Sequence, residues 1–194
     1  MIGGLEGGTV GYAEEAAVQV LDKDFAGLDC GKIRAAAGWG AAFGAAAGAA
    51  RGTGRQCFAA GTQVATESGP KAIEDVAVGD RVLSRGEEGD VSYERVTRLF
   101  VHGDAEEVAL TFTDVHGTGA SIITTPDHPF RVESGKWVTA GRLDIGDNVV
   151  TAEGGLATLS AALSLEKRGT VYNFEVERTH TYFVGDAKLW VHNV

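Results

Sequence analysis

From Gln56 onward the sequence is built of short β-branched and aromatic runs, with no long amphipathic helical pattern between them. The runs are Thr62–Thr66, Arg81–Ser84, Val91–Val101, Glu107–Thr113, Ser121–Thr125, Phe130–Glu133, Lys136–Val138, Asn148–Thr151, Thr170–Glu177, His180–Val184 and Leu189–Val191. Turn signals separate them: Ser68–Gly69–Pro70, Glu88–Gly89–Asp90, Val115–His116–Gly117 and Glu153–Gly154–Gly155. Roughly eleven strands at this spacing predict an all-β domain. Two phrases echo each other, Ile73–Glu–Asp–Val–Ala–Val–Gly–Asp80 and Leu143–Asp–Ile–Gly–Asp147. Each is an apolar–acidic stretch closed by Gly-Asp ahead of a strand, which predicts an internally duplicated β fold.

Residues 1–56 follow another grammar. Thirteen of the 28 glycines lie there, although it is the shorter part of a 194-residue chain. Tyr12 to Leu28 places Ala16, Ala17, Val20 and Leu21 near helical spacing. Ala35 to Ala50 is uncharged, with Gly40, Gly44 and Gly48 on one helical face, where a second backbone can approach. This stretch falls short of the ~20 apolar residues that cross a bilayer. It is therefore read as a helix packed on protein or a tether, with membrane contact of 35–50 the competing reading. The expected boundary divides an Ala/Gly-rich helical lead-in and linker, 1–56, from a β module, 57–194.

Composition narrows the function classes. Seventeen basic against 27 acidic residues give a net charge of −10, which repels phosphate, so no nucleic-acid partner is expected. Two cysteines, Cys30 and Cys57, cannot frame a disulfide-stapled fold. Met1–Ile2–Gly3–Gly4 shows no basic region leading into an apolar core, so no signal peptide is visible. No Cys-x₂-Cys or His-x₃-His pair pre-assembles a metal site, and no glycine-rich loop opens a helix to cradle phosphate. No cofactor is expected. His102 and His116 fall in Val–His–Gly stretches and are read as exposed turn residues.

Four elements carry chemistry. They are Cys57–Phe–Ala–Ala–Gly–Thr62–Gln–Val64, Thr124–Thr125–Pro–Asp–His128–Pro–Phe130, Val171–Tyr–Asn173–Phe–Glu–Val176 with His180–Thr–Tyr–Phe183, and Leu189–Trp–Val–His192–Asn193–Val194. Each alone has an ordinary structural reading: a small buried thiol, a proline turn, strand residues, a polar tail. In this order and spacing they resemble the Hint superfamily of inteins, bacterial intein-like proteins and hedgehog autoprocessing segments. They are most similar to the pretoxin Hint domain of bacterial polymorphic toxins. The resemblance covers 57–194 and implies a horseshoe of pseudo-two-fold β subdomains.

A thiol opening a domain can attack the carbonyl before it, here that of Gln56, turning an amide into a thioester. Amide resonance makes that step uphill, so the leaving nitrogen must be protonated. The resemblance implies that His128 is the acid, that Thr125 binds or polarises the scissile amide, and that Asn193 cyclises to a succinimide, cutting Asn193–Val194. It further implies that His192 assists the leaving peptide and that His180 polarises the Asn193 carbonyl. The implied partners are the chain's own flanking polypeptides and a downstream toxin or effector domain. Two departures stand out. Val194 offers no nucleophile, so ligation is not expected, and Asn173 occupies a position that is often aspartate in inteins. The competing functions are an inactive β spacer and a trans-acting cysteine hydrolase using Cys57 and His128.

Overall fold

The computed structural model describes residues 56–193, apart from Glu87, His116 and Thr118, and the backbone of Arg34–Ala35. The helical expectations for Tyr12–Leu28 and for 36–50, and the residues Cys30, His116 and Val194, lie outside the described residues, while Ala35, expected to open the second helix, is extended and pairs with Leu163. Among those described there is no α-helix, and no helix long and apolar enough to cross a membrane.

Thirteen strands join into one continuous arrangement. In chain order they are β1 (Arg34–Ala35), β2 (Phe58–Ala59), β3 (Gln63–Thr66), β4 (Gly69–Ala72), β5 (Arg81–Arg85), β6 (Val91–Thr113), β7 (Gly119–Thr124), β8 (Pro129–Arg131), β9 (Trp137–Thr139), β10 (Asn148–Val150), β11 (Leu156–Val176), β12 (Thr181–Val184) and β13 (Leu189–His192). The spine is β6 against β11, antiparallel from Thr113↔Thr158 to Val96↔Val176, with register shifts that twist and bend it.

The duplication read in the sequence is realised bond for bond. A 3-10 turn at Ile73–Asp75 and another at Ala140–Arg142 precede the two Gly-Asp phrases. Gly79 and Gly146 share φ +100°, a conformation open to glycine. The Asp80 carboxylate accepts Ala77 N–H at 2.8 Å and the Asp147 carboxylate accepts Asp144 N–H at 2.9 Å. Gly79 N–H then donates to Val96 on β6, and Gly146 N–H to Leu159 on β11. The same operation relates the β3–β4 hairpin to β8–β9. Ile73 N–H donates to Thr62 C=O at 2.9 Å, and Ala140 N–H to His128 C=O at 2.8 Å. His128 is therefore anchored through its backbone at a point the fold repeats.

Two strands run further than the sequence indicates. β6 joins Val91–Val101 to Glu107–Thr113 without a break, so His102 is a half-buried strand residue opposite Val171 rather than an exposed turn. β11 begins at Leu156, through Leu–Ala–Thr–Leu–Ser–Ala–Ala–Leu, a run whose residues favour helix in isolation. Pairing with β6 on one side and β10 on the other overrides that preference. Pro70 sits not in a turn but on β4, exposed, where its missing N–H costs no ladder bond. The core gathers Phe58, Phe112, Phe130, Phe174 and Tyr182, all fully buried, around the place where the two halves meet.

Candidate functional site

The site assembles where β2 enters the sheet. Phe58 pairs with Tyr172 of β11 on one side and with Thr124 of β7 on the other. That double pairing wedges the Gln56–Cys57 peptide between β11 and the loop after β7. Cys57 is buried. Its N–H donates to Thr125 Oγ1 at 3.0 Å. Its C=O accepts Thr125 N–H at 2.9 Å and Thr124 Oγ1–H at 2.8 Å. On the other face the Asn173 side-chain amide donates to Gln56 C=O. Both ends of the Gln56–Cys57 amide are thus held by side chains, the nitrogen by Thr125 and the oxygen by Asn173.

His128 follows in the Pro126–Asp127–His128–Pro129 turn, its N–H bonded to Thr125 C=O at 3.1 Å. The imidazole is fully buried, packed at a tilt against Phe58 with ring centroids 4.1 Å apart. Neither ring nitrogen completes a hydrogen bond among the described residues, and the Gln56 backbone lies beside the ring. Desolvation dominates its ionisation, pulling it down from 6.5 to about 3. The Gln56 backbone opposes that shift and the neighbouring His192 adds to it. His128 is therefore a neutral imidazole at neutral pH.

The other end of the described chain returns to the same place. β12 and β13 form a hairpin that pairs Thr181 with His192. Asn193 is fully buried. Its N–H donates to His180 C=O at 2.8 Å and its Nδ2 to Phe174 C=O at 2.6 Å, while its Oδ1 is buried without a partner. His192 is half-buried, its ring 5.2 Å from Trp137. His180 has φ +53° in the turn before β12 and its side chain is exposed. The contact the structure gives it with Asn193 is made through its backbone carbonyl.

Gln56, Cys57, Thr125, His128, His192 and Asn193 thus converge, while the His180 imidazole points to solvent. Three contributors were not picked out from sequence as amide-holding groups. Thr124 precedes the Thr-x-x-His block, Asn173 stands out only as a missing acid, and Tyr182 has no role of its own in the His180–Phe183 run. Tyr182 is fully buried, and its O–H donates to Asn173 Oδ1 at 2.8 Å. Desolvation raises its phenol well above the usual range, and the nearby Cys57 adds to that. Among the described residues no group of three or more His, Cys, Asp or Glu is placed to hold a metal.

A family model described as the pretoxin Hint domain matches residues 63–194. The solution structure of a bacterial intein-like domain from Clostridium thermocellum is 36% identical, with a TM-score of 0.66 over 72% of this chain and 99% of that one. The crystal structure of the gp41-1 intein is 25% identical, with a TM-score of 0.57 over 71% and 98%. Among curated proteins, Warthog protein 6 of Caenorhabditis elegans is 41% identical over 76 residues, 39% of this chain and 12% of that protein. Protein hedgehog of Drosophila persimilis is 36% identical over 74 residues, 37% of this chain and 15% of that protein. The match therefore spans only a small part of the length of these curated relatives.

Proposed function

The chain belongs to the pretoxin Hint family of self-processing domains, and on that premise we propose that residues 57–194 form an autocatalytic module that cuts its own flanking peptide bonds. The reaction at the first junction is an N→S acyl shift from Gln56–Cys57. The reaction at the second is succinimide formation by Asn193, severing Asn193–Val194 and releasing a C-terminal effector. The observation that carries this reading is the clasp on one amide: Thr125 on its nitrogen, Asn173 on its oxygen, beside a buried neutral imidazole.

Each group has a task that such a reaction needs. Thr125 Oγ1 faces the Cys57 nitrogen, which becomes the leaving amine. His128 accepts the thiol proton and passes it to that nitrogen, so no net proton is consumed. Burial holds the resting imidazole neutral, so the proton it delivers is the one the thiol gives up. With Val194 after Asn193, no side chain accepts the thioester for ligation, so water or an added thiol does.

The experiment is intact mass spectrometry on the chain with a reporter fused after Val194, incubated in thiol at pH 6–8. Separation of residues 1–56 from 57–194 and release of the reporter, both first-order and independent of dilution, are expected. Cys57→Ala should abolish the first cut. An uncut fusion after prolonged incubation overturns the reading and leaves the inert-spacer alternative. A rate that rises with protein concentration favours the trans-acting hydrolase instead.

A further inference from the structure

The Asn173 side chain is oriented by its surroundings. One end of its carboxamide receives two donors, the Phe174 backbone N–H at 2.8 Å and the Tyr182 hydroxyl at 2.8 Å. A backbone N–H can only donate, so that end is the oxygen. The other end is then the NH₂, and it meets Gln56 C=O. Asn173 is buried and Tyr182 fully so. The Tyr182 ring is packed against Phe174 at 4.3 Å, with Phe58 and His128 at 6.3 and 6.4 Å, so aromatic rings flank the phenol on three sides.

We propose that Asn173 is a catalytic residue of this chain, the oxyanion donor for acyl transfer at Gln56, and that Tyr182 is the positioning residue that locks its amide toward that oxygen. The proposal rests on the self-processing reading above. In the step, Cys57 Sγ bonds to the Gln56 carbonyl carbon and the C=O π pair moves onto oxygen, where Asn173 Nδ2–H meets it. The C=O then re-forms as the bond to the Cys57 nitrogen breaks, and the thiol proton ends on that nitrogen. A fixed donor in a dry site strengthens as charge develops and needs no reorganisation. A carboxylate at position 173 would instead present negative charge to a growing oxyanion. The asparagine thus supplies what an ionised aspartate could not.

The test follows both junctions of the reporter fusion in the same chain. Asn173→Ala should slow thiol-dependent cutting at 56–57 by about 10²–10³-fold, the usual cost of one oxyanion donor. Release after Asn193 should change far less. Asn173→Asp should be slow at neutral pH and recover as pH falls and its carboxyl gains a proton to donate, a profile that a merely structural role does not produce. Tyr182→Phe should slow the same junction about tenfold, from the lost orientation of one hydrogen bond. Thermal unfolding checks that each variant folds. Wild-type cutting at 56–57 with an unaffected Asn173→Ala, equal slowing of both junctions, or an Asn173→Asp rate that does not rise in acid overturns the inference alone. A wild-type chain that does not cut at 56–57 overturns the self-processing reading with it.

Discussion

Asn193→Ala is expected to abolish release of a reporter placed after Val194 while leaving the thiol-dependent cut at 56–57 in place. The reason is ring size. The nucleophile is the side-chain nitrogen, the target is the residue's own backbone carbonyl, and only a carboxamide one methylene from Cα closes a five-membered imide. Asn193→Gln lengthens the reach to a six-membered ring and places the amide off its anchor. Asn193→Asp keeps the shape but replaces the nitrogen by oxygen, so neither variant should release the reporter at a comparable rate. In the resting arrangement the nitrogen donates to Phe174 C=O at 2.6 Å, and the residue's N–H is fixed to His180 C=O at 2.8 Å. For the proposed attack the side chain must leave Phe174. Alanine also leaves the Phe174 carbonyl unpaired in a buried place, a stability loss of about 1–3 kcal/mol. A denaturation curve separates that loss from the chemistry. A variant that is folded and inert only at the second junction gives the expected result, and Asn193→Ala chains that still release the reporter sink the succinimide route.

Phe174 and Asn173 are consecutive, and they touch the two junctions in turn: Asn173 holds Gln56 C=O and Phe174 holds Asn193 Nδ2. None of this was visible along the chain, because Asn173 and Gln56 are 117 residues apart. What the sequence made legible was local. The cysteine opening a strand, the Thr-x-x-His turn between prolines and the terminal His-Asn each carry their chemistry within a few residues. The Gly-Asp echo was legible for a related reason: the positive φ of Gly79 and Gly146 and the aspartate cap are set within four residues. The groups that depend on strand pairing were hidden. Tyr182 is one strand residue of the His180–Phe183 run until β12 brings its hydroxyl to Asn173. The first half of β11 falls in none of the runs read as strands, because its Ala and Leu residues carry no β signal until β6 pairs with it. His180 shows the converse, a histidine in the expected place whose side chain the turn directs into solvent.

His128 carries the second large effect. Its folded-state value is about 3 because burial excludes the charged form, against 6.5 for an exposed imidazole. Below pH 6.5 the unfolded chain takes up a proton that the folded chain refuses, so this group's contribution is full above pH 6.5 and is lost as pH falls toward 3. Between pH 7 and pH 5 the loss is about 2 kcal/mol. Asp80 and Glu94, held below their usual values by Lys71 and Arg178, stay ionised through that window and contribute little to the change. Glu107, raised by burial, acts in the opposite sense and is common to wild type and variant. Urea midpoints of wild type and His128→Gln at pH 7 and 5 should therefore diverge, the variant losing distinctly less stability on acidification. Equal losses would mean that the imidazole is reached by water in the folded chain. The same substitution should slow cutting at 56–57 by about 10²–10⁴-fold, the span of a positioned acid–base group. The two readouts bear on one property. Burial makes protonated His128 scarce at neutral pH. On the proposed self-processing reading, the proton it delivers must therefore be the one the Cys57 thiol gives up, because the resting ring holds none to spare.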